Sequence, residues 1–288
     1  MKKQYEVLQW AFSFLKKHGC EENVANILLQ HHLQVSQEQL MLMMRKELSE
    51  KVIIYISDDI KRHVQSGIPV QHLVGYAYFY GRKFKVNKHV LVPRFDTEIL
   101  LEQTLQLISK QFPKNEKIKI VDVGTGSGII AITLALELPN ATIYATDISE
   151  DALEIARTNA AKHKVNVHFF NGNFLEPIIQ NKINPEVIIS NPPYIRKSDR
   201  ETLTNTVKNY DPPLALYGGM DGMSAYKEIL SQIHLLKQND ERIACFEIGF
   251  DQADDVVKLI RNSMPNYSTE VLQDLNGKDR VITVKKFK

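Results

Sequence analysis

Cysteine is nearly absent from this chain. Cys20 and Cys245 are the only two among 288 residues. They stand far apart and without metal-like spacing, which argues against a disulfide framework and predicts reduced thiols. A dominant charge is missing too. Thirty-six Lys and Arg against 34 Asp and Glu leave a net charge of +2, well short of the bias seen in dedicated nucleic-acid binders. Long apolar runs are also lacking. The most apolar stretch, Ile129 to Leu138, contains Glu137 and falls far short of the roughly 20 residues that cross a bilayer. An amphipathic pattern rather than an apolar signal core follows Met1 to Tyr5, so the expectation is a soluble, cytoplasmic protein. Repeats and low-complexity tracts are absent. What remains is an ordinary globular composition, at a length that suits one large domain or a medium one with a small companion.

The region 1–69 reads as a small helical bundle. Tyr5, Leu8, Phe12 and Leu15 recur at helical spacing, with Gly19 as a stop, and Val24, Ile27 and Leu28 mark a second helix. Ser36 with Gln39 forms a capping-box pattern leading into a third helix through Leu40, Met43, Met44 and Leu48. Ser49 opens a fourth, running through Val52, Ile56, Ile60 and Val64 to Gly67. The adjacent pair His31-His32 does not share a helix face, so no metal site is expected there. Between 70 and 92 the pattern turns to Tyr, Phe and Val. Tyr76 to Tyr80, a Gly81-Arg82 turn and Phe84 to Val86 predict a β-hairpin linking two domains.

The region 93–288 alternates strand and helix. Asp96 or Thr97 is expected to cap a helix carrying Ile99, Leu100, Leu105 and Ile108. Strands are expected at Ile118 to Val123, Ala141 to Asp147, Val165 to Phe170, Glu186 to Ser190 and Arg242 to Ile248. Helices separate them, and the stretch from Arg196 to Met223 reads as long and irregular. Two closing strands flank the turn Asn276 to Asp279. This alternation predicts an α/β fold with a mostly parallel, doubly wound sheet and an antiparallel edge.

Two motifs stand where such sheets bind ligands. The loop Gly124-Thr125-Gly126-Ser127-Gly128 joins a strand to a helix, and Asp147 ends the next strand, where a carboxylate can accept both ribose hydroxyls. That pattern fits any adenosine-type cofactor. After the third strand, Asn173 would bond an adenine amino group and Phe174 would stack on the ring. The second motif is Asn191-Pro192-Pro193-Tyr194, which follows Val187 to Ser190. Two prolines stiffen it and remove two backbone donors. An amide with both a donor and an acceptor, carbonyls without competing N–H groups, and an aromatic face suit a flat NH2-bearing group. A substrate-amide pocket beside the glycine loop favours S-adenosylmethionine over a nicotinamide dinucleotide as cofactor. Arg94 stands before the acids Asp96 and Glu98, and both a salt bridge and a ligand role fit it. Arg94 and Thr97 are therefore further candidates.

Taken together, the chain resembles the HemK-type (PrmC-type) protein-glutamine N5-methyltransferases. The likeness rests on Pro69 to Gly75, Phe84 to Val86, Val92 to Glu98, Asp122 to Gly128, Ser190 to Ile195, Gly218 to Gly222 and Glu247 to Gly249. It implies a class I S-adenosylmethionine-dependent methyltransferase, with a Rossmann-like, seven-stranded, mostly parallel sheet and a small N-terminal helical bundle. It further implies methylation of the glutamine side-chain nitrogen in the Gly-Gly-Gln motif of class 1 peptide chain release factors, with S-adenosylhomocysteine as product. The bundle would bind the release factor. Gly124 to Gly128, Asp147, Phe174 and Asn191 would bind the cofactor, and Asn191 to Tyr194 would hold the glutamine. Asn191, Pro192 and Tyr194 are then the catalytic candidates. Asn173-Phe174 stands where family members often have Asp then Trp, and Phe95 where proline is common. No metal and no membrane partner are implied, and a monomer is the default. The alternative is a nucleic-acid amino methyltransferase, since an exocyclic base NH2 is equally flat. Near-neutral charge and the lack of a base-reading insertion weigh against it.

Overall fold

The computed structural model describes residues 2–237 and 242–286. The chain divides into two compact units, Met1–Tyr76 with Thr204–Tyr210, and Ala77–Leu203 with Asp211–Lys288.

The first unit is helical. After β1 (Lys2–Lys3) come α1 (Gln4–Lys17), α2 (Asn23–Leu33), α3 (Gln37–Leu42), β2 (Glu47–Leu48), α4 (Glu50–Ser66) and α5 (Val70–Val74). Leu15, Leu28, Leu29, Ile56 and Ile60 form its core, each fully buried. The expected capping box is present: Gln39 N–H donates to Ser36 Oγ at 3.3 Å, and Ser36 N–H to Gln39 Oε1 at 2.9 Å. The third helix is shorter than expected. It ends at Leu42, and Glu47–Leu48 pairs antiparallel with Lys2–Lys3 instead. Leu48 is still buried, so its apolar spacing reported burial and not helix. The unit extends past Pro69 because Val70 and Val74 on α5 pack into the same core.

The second unit starts with the expected hairpin, β3 (Tyr76–Phe79) and β4 (Arg82–Lys85), whose turn falls at Tyr80 and Gly81, both at positive φ. There follow α6 (Asp96–Gln111), β5 (Lys119–Val123), α7 (Ile129–Glu137), β6 (Thr142–Asp147), α8 (Glu150–His163), β7 (His168–Asn171), α9 (Glu176–Gln180) and β8 (Val187–Ser190). The stretch from Arg196 to Met223 is not irregular throughout, as expected from sequence. It holds a 3-10 turn at Lys197–Thr202, α10 (Asn205–Tyr210) and α11 (Pro213–Leu216). These pieces are too short to show a periodicity. Of them, α10 groups with the first unit, where Tyr210 Oη donates to the Ser66 carbonyl at 2.8 Å. The chain closes with α12 (Ser224–Ile233), β9 (Ile243–Glu247), α13 (Ala253–Ser263), β10 (Tyr267–Gln273) and β11 (Asp279–Lys286).

The sheet order is β10-β11-β9-β8-β5-β6-β7, with β11 antiparallel to both neighbours and the others parallel. Alternating side chains feed the two faces, as a period of two requires. Ile120, Val187, Ile189 and Cys245 pack on one side with α6 and α7. Val121, Ile188, Ala244 and Phe246 pack on the other with α12 and α13. The chain leaves β5 toward β6 and β7, then returns to lay β8 on β5's other side. The carboxyl ends of β5 and β8 therefore flank the point where strand order reverses, the crevice in which open α/β sheets take ligands.

Candidate active site

The glycine loop leaves β5 at that crevice. Gly124 and Gly126 have φ of +75° and +54°, and a Cβ on either would face open space. Only a residue without a side chain holds this conformation cheaply while leaving the backbone open to a ligand. Asp122 anchors the loop from below. Its Oδ2 accepts from Thr125 Oγ1 at 2.6 Å and from the Ala131 N–H at 3.2 Å. Burial raises its carboxyl to about 7. Gly128 serves packing: a Cβ there would stand 2.9 Å from Ile132 Cδ1 and 3.1 Å from Ala156 Cβ. Asn159 on α8 ties the loop to the hairpin, donating to the Ser127 and Lys85 carbonyls and accepting from the Lys85 N–H.

Asp147 ends β6 beside this loop. Its two oxygens accept from the Gly126 N–H at 2.8 Å and the Ser149 N–H at 2.9 Å. Burial raises its pKa against the backbone donors of Ser149, Gly126 and Ile148, and a carboxylate with about four acceptor sites still has room for a hydroxyl.

Across the strand pair, Ser190 aligns with Val123 in parallel register. Asn191 thus leaves β8 one strand from the glycine loop. Its Nδ2 donates to Thr97 Oγ1 at 3.1 Å, and Thr97 Oγ1 donates to Glu247 Oε2 at 2.7 Å. Thr97 does not cap its helix. The residue at that position is Phe95, with no side-chain cap bond, and the buried Thr97 hydroxyl points to the sheet instead. Tyr194 Oη reaches the other Glu247 oxygen at 3.5 Å. Burial raises Glu247 to about 7, opposed by the Thr97 hydroxyl and Arg280. Burial, with the Glu247 charge adding to it, also raises the Tyr194 phenol.

A cavity of about 650 Å³ joins these elements, within the range of small-molecule sites. The sequence candidates Gly124, Thr125, Gly126, Ser127, Asp147, Asn173 and Phe174 line it. So do Arg94, Thr97, Asn191 and Pro193, whereas Gly128, Pro192 and Tyr194 are not on its wall. Arg94 makes a salt bridge, but with distant Asp211 and not with the neighbouring Asp96 or Glu98 considered from sequence: its Nη2 lies 2.7 Å from Asp211 Oδ2. Sequence reasoning missed Asp211 and the roles of Asn159 and Glu247. For Glu247 a signal existed, an acid closing an apolar strand just as Asp147 does. Asp211 and Asn159 carry none, since their partners lie over 70 residues away.

The glycine cradle, the strand-end carboxylate and the open volume fit an adenosine-bearing cofactor, and the amide beside them fits an acceptor with N–H groups. The sheet order and this site define a class I methyltransferase. Residues 99–210 match the methyltransferase small domain, and residues 6–75 match the PrmC N-terminal domain. The chain is 41% identical to the release factor glutamine methyltransferase of Bacillus cereus, over 96% of this chain and 97% of that one. The Bacillus subtilis protein of the same name is 39% identical over 98% and 97%. Among solved structures, the hMettl16 catalytic domain in complex with an MAT2A 3′UTR hairpin superposes with a TM-score of 0.56 at 12% identity, covering 83% of each chain. That likeness concerns the fold. The chain belongs to the family of release factor glutamine methyltransferases.

Proposed function

We propose that this enzyme methylates the side-chain amide nitrogen (N5) of the glutamine in the Gly-Gly-Gln motif of class 1 peptide chain release factors, in support of translation termination. S-adenosylmethionine is the methyl donor, and S-adenosylhomocysteine is the product. In this reading the enzyme works in the cytoplasm as a monomer, and the N-terminal helical unit grips the release factor. Family membership at near full length supports the substrate. The observation that carries the chemistry is Asn191, one strand from the glycine loop, with an N–H of its Nδ2 given to Thr97 so that its Oδ1 is the end left to accept.

The bound cofactor supplies a methyl carbon already activated by a sulfonium. A carboxamide nitrogen is a poor nucleophile because its lone pair is delocalised into the carbonyl, so the protein's part is positioning and polarisation. Asn191 Oδ1 and the Pro192 carbonyl accept the two substrate N–H bonds and aim the remaining lone pair along the reaction axis. Pro193 and Tyr194 complete the stiff strip that holds the glutamine. Alignment of this kind supplies roughly 7 to 11 kcal/mol in well-oriented systems. With the cofactor bound, transfer would leave the S–C electron pair on sulfur, and the N-methylamide would give up one proton. As positive charge develops on nitrogen, its two acceptors bind it more strongly than in the ground state. Gly124 to Ser127 would approach the cofactor through backbone, Asp147 would accept its ribose hydroxyls, and Asn173 and Phe174 would meet its adenine, all of them lining the one cavity.

The test is transfer of labelled methyl to a release factor. Label is expected in the wild-type factor and absent after Gln→Ala in its Gly-Gly-Gln motif. Asn191→Ala is expected to lower kcat at least about 100-fold while cofactor affinity changes far less. Label appearing in RNA or DNA and not in the release factor would overturn the assignment.

A further inference from the structure

Asn191 can serve as an acceptor only if its amide is held one way round. A flipped amide would turn NH2 against the substrate NH2, donor against donor. Nothing in the Asn-Pro-Pro-Tyr strip itself selects between the two orientations, because an amide is nearly symmetric in shape. The selection comes from behind it. We propose that Thr97 and Glu247 are positioning residues that set the polarity of the Asn191 amide, so that its Oδ1 and not its NH2 faces the glutamine nitrogen. This rests on the substrate reading above and says how the same site orients that substrate.

Glu247 is the last residue of β9 and is 1% exposed. Its main chain is held by Tyr226 Oη, which donates to the Glu247 carbonyl at 2.8 Å. An ionised carboxylate only accepts, and a hydroxyl has one proton. With Thr97 Oγ1 2.7 Å from Glu247 Oε2, that proton is used on the carboxylate. The Thr97 oxygen then presents only lone pairs to Asn191, 3.1 Å away, and Asn191 must answer with N–H. Reversing the amide would set oxygen against oxygen at that distance. Thr97 is itself 2% exposed, so water does not relieve such a clash.

The same chain gives the arrangement a pH sense. A protonated Glu247 can donate to Thr97, whose own proton then turns toward Asn191 and selects the reversed amide. The groups around Glu247 are Arg280 on β11, which favours the carboxylate, Asp96 on α6, which opposes it, and the phenol of Tyr194. Tyr226 on α12 is occupied by the backbone carbonyl. Burial outweighs Arg280 and leaves the Glu247 pKa at about 7. Turnover should therefore fall as pH drops through neutrality, while cofactor binding does not follow it.

The experiment compares the wild-type enzyme with Thr97→Val, Thr97→Ser, Glu247→Gln and Asn191→Ala. It measures kcat and KM for methyl transfer to an intact release factor from about pH 5 to 9, and cofactor affinity by calorimetry. Thr97→Val keeps the side-chain shape and removes the relay. It is expected to lower kcat about tenfold, the worth of one well-placed hydrogen bond, with cofactor affinity unchanged. Thr97→Ser restores the hydroxyl and recovers most of the loss. Glu247→Gln cannot ionise and loses the acid limb of the wild-type profile. Wild-type kcat in Thr97→Val, a Thr97→Ser as slow as Thr97→Val, or an acid limb that survives in folded Glu247→Gln would each overturn the positioning role. Should Glu247→Gln fail to bind cofactor, the Thr97 pair decides alone. Wild-type activity with loss in Asn191→Ala reports separately on the substrate reading. A wild-type enzyme inactive on the release factor defeats both, whereas an active one with unimpaired Thr97→Val defeats the relay only.

Discussion

Gly218→Ala should impair turnover through the backbone of the substrate strip. Gly218 lies where the segment after α11 runs beside Asn-Pro-Pro-Tyr. Ile195 N–H donates to the Leu216 carbonyl and Gly218 N–H to the Ile195 carbonyl, both at 2.9 Å, so the two segments are pinned together. A Cβ on Gly218 would stand 2.5 Å from the Pro193 carbonyl oxygen and 2.7 Å from that of Gly222. Ordinary contact begins near 3.4 Å, so Pro193 or the Gly218 segment must retreat by about 0.9 Å. Both obstacles are main chain, and the prolines leave the strip few ways to bend. A displacement near 1 Å in a positioned group costs on the order of 100-fold in rate, and the overpacking itself costs about 1 to 3 kcal/mol of stability. The expected result is a folded enzyme with a lowered Tm, a kcat down about 100-fold and a smaller change in cofactor affinity, read by labelled-methyl kinetics and calorimetry. Gly277→Ala is the control. It has φ of +73° and open space around its Cβ, in the turn between β10 and β11. It carries backbone strain alone and should leave kcat intact. A folded Gly218→Ala enzyme with kcat within about twofold of wild type would refute the claim that sub-ångström placement of the strip governs turnover.

Two further outcomes follow from the cofactor side. On the proposed ribose role of Asp147, Asp147→Asn is expected to weaken S-adenosylmethionine about tenfold to a hundredfold by calorimetry. An unchanged affinity would move the ribose elsewhere. Asp122 sits with its carboxyl raised to about 7 by burial. A raised carboxyl favours the protonated folded form, so its contribution is full below about pH 4 and is lost as pH rises through about 7. Denaturant unfolding should thus show the wild type losing on the order of 2 kcal/mol between about pH 5 and pH 7 from this group, and Asp122→Asn showing a flatter profile. Parallel profiles would mean that Asp122 titrates as an ordinary carboxylate.

Local signals in this chain were reliable where a few neighbouring residues settle the outcome. Ser36, Ser49 and Ser149 each accept the backbone bond expected of a helix cap. The strand and helix alternation follows the pattern, and Gly124 to Ser127, Asp147 and Asn191 line one cavity, although Gly128 does not. Errors gathered where long-range partners override local preference. Leu48 carries helical spacing yet pairs as a strand with Lys3's neighbour Lys2. Thr97 looks like a cap and instead serves a carboxylate 150 residues away. Val165 to Val167 precede β7 and do not extend it, since the ladder with β6 begins at His168.

The succession of strands and helices along the chain, the identity of the glycine loop and the presence of a stiff amide-bearing strip are properties of the sequence itself, because each arises from periodicity or backbone restriction within a short span. The environment of that amide is not. Asn191, Thr97 and Glu247 belong to three different elements, and only the packing of α6 against the sheet beside β9 brings a hydroxyl between the amide and a buried carboxylate. The direction of a hydrogen bond depends on which proton is already used elsewhere. That is a property of the assembled fold, and no reading of Asn-Pro-Pro-Tyr alone contains it.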